Sequence, residues 1–69
     1  MPQEPTTDEM KTLKSRLDYF GITPDEYEVR NGILYLHGVD AGSAVYLNSR
    51  SMEQMAAALD AARKQVNRE

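Results

Sequence analysis

Apolar residues cluster around Asn31-Gly32, and this stretch carries the strongest local signal in the chain. The flanking residues from 27 to 37 are mostly aliphatic, aromatic or β-branched, which are the types that favour strands. Both central residues of a type I′ turn need a positive φ, which Asn tolerates and Gly adopts freely. The sequence therefore predicts two antiparallel strands joined by a two-residue turn.

A two-residue turn fixes which residues are opposed, and opposed residues share a face of the hairpin. The predicted pairs are Tyr27 with Leu36, Glu28 with Tyr35, Val29 with Leu34 and Arg30 with Ile33. The first and third pairs are apolar apart from one phenol, so we expect them to face the core. The opposite face, called the outer face below, carries Glu28, Arg30, Ile33, Tyr35 and His37.

A first helix is predicted before the hairpin, because apolar residues recur there at steps of three and four. Its stripe consists of Met10, Leu13, Leu17 and Phe20. Thr6 and Glu9 have the spacing of an N-terminal capping box. Gly21 predicts a left-handed stop, and Ile22 then folds back onto the last turn. Residues 23–26 have the pattern of a second capping box and predict a single helical turn.

A second helix is predicted from Ser51, its N-cap, with Gln54 completing a capping box. Its apolar stripe consists of Met52, Met55, Leu59, Ala62 and Val66. Alanines flank this stripe at positions 56, 57, 58 and 61. They reflect either helix propensity or a close helix contact across a dimer, and the sequence does not choose between these readings.

Residues 38–43 contain two glycines and predict a loop, and residues 44–47 predict a short third strand. With Val45 and Leu47 facing the core, Tyr46 joins the outer face. The fold class that follows is α+β, with two layers formed by a helix, a three-stranded antiparallel meander and a helix. We expect both helices on the Val29 face of the sheet.

One domain is expected at residues 6–66, between a mobile tail at 1–5 and a frayed end at 67–69. The chain has 69 residues, so its core is small and self-association would add burial. There is no cysteine, which excludes disulfides and thiolate zinc sites. No apolar run is long enough to span a membrane, and no leader-like segment opens the chain, so we expect a soluble, cytoplasmic protein.

Candidate chemistry is sparse. His37 is the sole histidine, so a transition-metal site or a nucleophilic dyad lacks partners. The acidic residues Asp25, Glu26 and Glu28 lie beside or alternate with apolar positions, as on a solvated strand face. No glycine-rich phosphate loop occurs. We therefore expect no catalytic, metal or cofactor site, and no enzymatic activity.

The outer face remains as the candidate for function, because tyrosine, isoleucine and arginine together are typical of protein interfaces. The candidate interface residues are Arg30, Ile33, Tyr35, His37 and Tyr46. They predict a small protein-interaction module, acting as an adaptor, regulator or inhibitor and forming a homodimer. The alternative is single-stranded nucleic-acid binding, with Tyr35 and Tyr46 as stacking platforms. A net charge of -3 opposes this alternative.

Overall fold

The computed structural model describes residues 3–66. Its elements in chain order are helix α1 (Thr7–Tyr19), a 3₁₀ turn (Pro24–Glu26), strands β1 (Tyr27–Arg30), β2 (Ile33–Leu36) and β3 (Val39–Ser43), and helices α2 (Ala44–Ser49) and α3 (Met52–Val66). The strands form one antiparallel sheet in the order β1-β2-β3. The predicted α+β class is confirmed. Residues 3–5 form neither helix nor strand, and positions 1, 2 and 67–69 lie outside the described residues.

Both predicted ends of α1 are confirmed. The Thr6 hydroxyl accepts from the Glu9 amide at 3.2 Å, and the Glu9 carboxylate accepts from the Thr6 amide at 2.7 Å. At the other end Gly21 adopts a φ of 77°, and the Ile22 amide donates back to the Leu17 carbonyl at 2.9 Å. These bonds satisfy backbone groups that a helix end otherwise leaves unpaired.

The first hairpin has the predicted turn and the predicted register. Asn31 and Gly32 have φ values of 52° and 77°, as a type I′ turn requires. All four predicted cross-strand pairs are present, from Arg30 with Ile33 to Tyr27 with Leu36. The local turn chemistry was therefore sufficient to set the alignment of these two strands.

The third strand was predicted in the wrong place. Residues 38–43 do not form a loop, because β3 begins at Val39, directly after a second two-residue turn. In that turn His37 and Gly38 have φ values of 52° and 82°, and Leu36 pairs with Val39 across it. A positive φ is uncommon for a residue other than Gly, although His is among the residue types enriched there.

Strand β3 contains a bulge at Ala41. Leu34 pairs with Gly42, whereas Tyr35 pairs with Asp40, so one residue of β3 has no partner on β2. Gly42 has a φ of 111°, and its amide donates to the Asp40 carboxylate at 2.7 Å. The bulge lets the strand keep pairing on both sides of the extra residue.

The predicted strand at residues 44–47 is wrong, since this segment forms helix α2. The Ser43 hydroxyl accepts from the Tyr46 amide at 3.2 Å and so caps its N-terminus. Ala44 and Leu47 are buried at the helical spacing of three, while Tyr46 is exposed. A guanidinium from α1 reaches the other end, where Arg16 Nη1 donates to the carbonyl of Leu47 at 3.3 Å.

Helix α3 begins as predicted, with the Ser51 hydroxyl accepting from the Gln54 amide at 3.2 Å. The reciprocal half of the predicted capping box is missing, because the Gln54 side-chain oxygen accepts from Arg50 Nε at 2.9 Å instead. The helix therefore starts at its predicted position with one of the two predicted bonds.

All three helices and the sheet share a single core. Its buried members are Leu13, Leu17, Ile22, Leu34, Leu36, Ala44, Leu47, Met55, Leu59 and Ala62. Val29 packs against this cluster, whereas Glu28 and Arg30, which point the other way, are exposed. The predicted placement of the helices on the Val29 face is confirmed, and no helix of residues 3–66 lies over the outer face.

Candidate functional site

The centre of the outer face is an arginine stacked on a tyrosine. Arg30 lies diagonally across from Tyr35, and its Cζ is 4.6 Å from the centroid of the ring. The Nε of the same guanidinium is 3.1 Å from Oε2 of Glu28, two residues back on the same strand. Stacking and ion pairing act on one side chain, so Arg30 is held in place while remaining exposed.

The apolar part of the outer face lies beside this pair. Ile33 is opposite Arg30 and two residues before Tyr35, and both Ile33 and Tyr35 are half-buried. On the far side, β3 places Asp40 opposite Tyr35. The outer face thus has an apolar centre with one cation and carboxylates around it. Such a face suits a partner surface that combines apolar groups with groups of opposite charge.

His37 lies at the end of the outer face, in the second turn. Its Nε2 is 3.3 Å from Oε1 of Glu26, and its amide donates to the Glu26 carbonyl at 2.9 Å. These contacts join the 3₁₀ turn to the turn between β2 and β3. His37 is thus a connecting residue at the edge of the candidate surface.

The predicted capping box at residues 23–26 forms only in part. Oε2 of Glu26 accepts from the Thr23 amide at 2.9 Å and from the Thr23 hydroxyl at 2.7 Å. The hydroxyl therefore donates to the carboxylate rather than capping the amide. The hydrogen bonds from Thr23, and then the proximity of His37, lower the pKa of the Glu26 carboxyl below its usual 4.5.

Tyr46 does not belong to the outer face, contrary to the prediction. It lies in α2, is 56% exposed, and has the Arg50 guanidinium 5.3 Å from its ring centroid. The prediction failed because it depended on residues 44–47 being a strand. The structure brings together Arg30, Ile33 and Tyr35, with His37 at their edge.

Two other tyrosines are notable: Tyr19, which the sequence did not single out, and Tyr27, which the predicted register placed on the core side. Tyr19 ends α1 and is 76% exposed, with its ring edge-on to Phe20 at a centroid distance of 5.4 Å. Tyr27 packs on the core side of β1, and burial, together with the negative charge of Asp18, raises the pKa of its phenol above 10.0. The position of Tyr19 beside the stripe residue Phe20 indicated exposure, but nothing local indicated a binding role.

A shallow groove of about 240 Å³ lies between the end of α1 and α3, lined by Phe20, Ile22, Ala56, Leu59, Asp60 and Arg63. Within residues 3–66, no group of three or more His, Asp or Glu side chains is arranged to hold a metal ion. In the same range no helix is both long enough and apolar enough to cross a membrane.

Comparison of the chain with protein-family models, with curated proteins and with solved structures gave no match.

Proposed function

We propose that this chain is a small, cytoplasmic, non-enzymatic interaction module that forms a homodimer and acts on a protein partner as an adaptor, regulator or inhibitor. The observation that carries the proposal is the Arg30-Tyr35 stack at 4.6 Å on a sheet face that the helices of the described chain leave uncovered. Arginine and tyrosine are enriched among the few residues that dominate protein interfaces.

The stack is also organised before any partner arrives. Immobilising a long side chain on binding costs about 0.5–1.5 kcal/mol. Arg30 is already held between the ring of Tyr35 and the carboxylate of Glu28. Part of its side-chain freedom is therefore lost when the chain folds and does not weaken binding. Because both residues lie on paired strands, their spacing is rigid, which favours recognition of one defined surface.

The charge around the stack favours a protein over a nucleic acid. Glu28 is 3.1 Å from Arg30, so the guanidinium of the outer face is already paired with a carboxylate, and Asp40 adds a second carboxylate to this face opposite Tyr35. A phosphate backbone would be repelled by these groups. With Tyr46 in α2, the sheet offers Tyr35 as its one tyrosine platform on the outer face. Single-stranded nucleic-acid binding remains the alternative function.

The self-association is tested by solution mass, measured by light scattering on the wild type, Tyr35→Ser and Tyr19→Ser. The last variant is a matched control, since Tyr19 is an exposed tyrosine away from the outer face. We expect the wild type to approach twice 7.8 kDa at tens of micromolar, with Tyr35→Ser shifted toward the monomer and Tyr19→Ser unchanged. A wild type that stays monomeric at tens of micromolar and at every higher concentration up to about 1 mM would refute the homodimer.

The partner surface is tested separately by affinity capture from the native host with the same three proteins. A protein retained by the wild type and Tyr19→Ser but lost from Tyr35→Ser supports the outer face. Equal retention by all three contradicts it. The alternative function predicts binding of a fluorescent single-stranded oligonucleotide that weakens as salt rises and is lost in Tyr35→Ser.

A further inference from the structure

The two edges of the sheet are built differently. Strand β3 forms one edge of the sheet. The bulge at Ala41 interrupts this edge, and α3 packs closely along the strand. Bulges and covering elements are the means by which proteins block pairing at a sheet edge. Strand β1 (Tyr27–Arg30) is regular, and its main neighbours are β2 and the 3₁₀ turn. The β1 edge therefore lacks the devices present at the β3 edge.

Backbone groups point out from β1 at alternate residues. The Glu26 carbonyl accepts from His37, and by the strand period of two the groups of Glu28 and Arg30 also point toward β2. Tyr27 and Val29 direct their N–H and C=O groups away from β2. The Tyr27 amide lies at the end of the 3₁₀ turn, whereas the Tyr27 carbonyl and both backbone groups of Val29 have no backbone hydrogen bond to another element within residues 3–66.

We infer that β1 pairs with β1 of a second copy, antiparallel and about a two-fold axis at Val29. In this register Val29 is opposite Val29 of the second copy, and the two residues exchange N–H···O=C bonds. The Asn31 amide, which points outward because the Arg30 carbonyl faces β2, donates to the Tyr27 carbonyl of the other chain. The inference rests on the proposed homodimer and specifies its interface, in which Tyr35 takes part only through the Arg30 side chain that its ring holds in place.

Charge complementarity selects this register over its neighbours. With Val29 on the axis, Glu28 lies opposite Arg30 of the second copy, and Arg30 lies opposite its Glu28. A shift of one pairing step toward the N-terminus puts two Glu28 residues opposite each other, and a shift the other way opposes two Arg30 residues. Like charges directly opposed destabilise a strand pair, whereas opposite charges stabilise it.

The intrachain contacts agree with this arrangement. Glu28 and Arg30 already form an ion pair at 3.1 Å on the outer face. With the second copy, two glutamates and two arginines form a square in which each charge lies beside opposite charges. An interface related by a two-fold axis must be complementary to itself, and this pair of residues is. The result is a six-stranded sheet whose two outer faces form one continuous surface, with the two Arg30-Tyr35 stacks near its centre.

The test is sedimentation equilibrium of the full chain between about 10 µM and about 1 mM, the range in which a short strand edge would dimerise. Glu28→Arg places two arginines opposite each other at both sites, and we expect its dimer to be about tenfold weaker or more. The double charge swap Glu28→Arg with Arg30→Glu restores opposite charges in this register alone, and we expect it to recover the wild-type constant within about threefold.

A backbone substitution tests the edge without using charge. Val29→Pro removes the outward amide but no bond to β2, and proline is accepted at such edge positions. Val29→Ala is the control, since it loses the side chain and keeps the amide. We expect Val29→Ala to dimerise and Val29→Pro to stay monomeric, with circular dichroism showing that both are folded. If Val29→Pro does not fold, the charge swaps decide the question.

The outcomes separate this inference from the proposed function. A dimer that survives Val29→Pro but is lost in Tyr35→Ser overturns the edge pairing and keeps self-association through the outer face. A double swap that stays as weak as Glu28→Arg overturns the register. A wild type that is monomeric up to about 1 mM refutes the pairing of β1 with a second copy of the chain. Capture of another protein through Tyr35 would still support the proposed interaction module.

Discussion

Removing the guanidinium of Arg16 should weaken the whole fold, because this group holds the end of α2 against α1. Arg16 Nη1 donates to the Arg50 carbonyl at 2.7 Å and to the Leu47 carbonyl at 3.3 Å. These carbonyls belong to the C-terminal end of α2, a six-residue helix that is too short to be stable alone. A cation there also compensates the negative end of the helix dipole. Arg16→Met removes both effects and keeps an apolar stem of similar length.

The magnitude follows from the geometry of these two bonds. A hydrogen bond to a charged group contributes about 1.5–3 kcal/mol to stability. The Arg50 bond is short, but the Leu47 bond is long, and Arg16 is half-buried, so water replaces part of what is lost. We take about 2 kcal/mol for the pair, which for a domain of this size lowers Tm by roughly 8–16 °C.

The assay is thermal and urea unfolding followed by circular dichroism. Lys14→Met is the control, because Lys14 is another cation of α1 and is exposed. We expect Lys14→Met to lie within about 0.5 kcal/mol of the wild type and Arg16→Lys to lose about half as much as Arg16→Met. An Arg16→Met protein as stable as Lys14→Met would show that α2 is held by its apolar contacts alone.

Three further outcomes are expected. Gly38→Ala should lower the free energy of unfolding by about 1–2 kcal/mol in urea titrations, since a Cβ at φ 82° has no neighbour within 4 Å and the cost is left-handed strain alone. The pKa of Glu26 is lowered by folding, so its stabilising contribution is complete above about pH 4.5 and is lost as the pH falls through the folded-state pKa; Glu26→Gln should flatten acid unfolding curves there. The pKa of Tyr27 is raised above 10.0 by burial and by Asp18, so Tyr27→Phe should remove a phenol that ionises above the ordinary tyrosine range in an alkaline absorbance titration.

Each of these outcomes has a clear contradiction. A Gly38→Ala protein of wild-type stability would mean that the second turn is not a type I′ turn. Identical acid curves for the wild type and Glu26→Gln would show that the Thr23 and His37 bonds do not persist in solution. A Tyr27→Phe titration whose high-pH end matches that of the wild type would show that packing against the core does not raise the pKa of Tyr27.

The first hairpin could be predicted in full, because everything that determines it is local. Asn31-Gly32 sets the turn, the turn sets the register, and the register puts Arg30 and Tyr35 on one face. Their stacking at 4.6 Å follows from that diagonal placement. The sequence alone was therefore sufficient to predict this part of the candidate site.

The chain from residue 37 to residue 49 was predicted wrongly for two physical reasons. The second turn uses His37 at a position where Asn is usual, so its strong local signal was absent. Residues 44–49 contain strand formers, yet they form helix α2 because Ser43 caps its N-terminus and Arg16 binds its other end. The Arg16 contact spans 31 residues of sequence, and local patterns do not report such a contact. Tyr46 belongs to this segment, so its predicted place in the candidate site was wrong as well.

The two successive two-residue turns also have a consequence for how the chain folds. They return each strand onto its neighbour immediately, so the meander from residue 27 to residue 43 closes short loops only. Helix α1 docks on α2 through Arg16 contacts separated by 31 and 34 residues, which carry a larger entropic cost of closure. We expect the sheet to form first and α1 to detach first. In native-state hydrogen exchange, the amides of α1 should then open at a lower free energy than those of β2, which makes the N-terminal helix the movable part of an otherwise locally built domain.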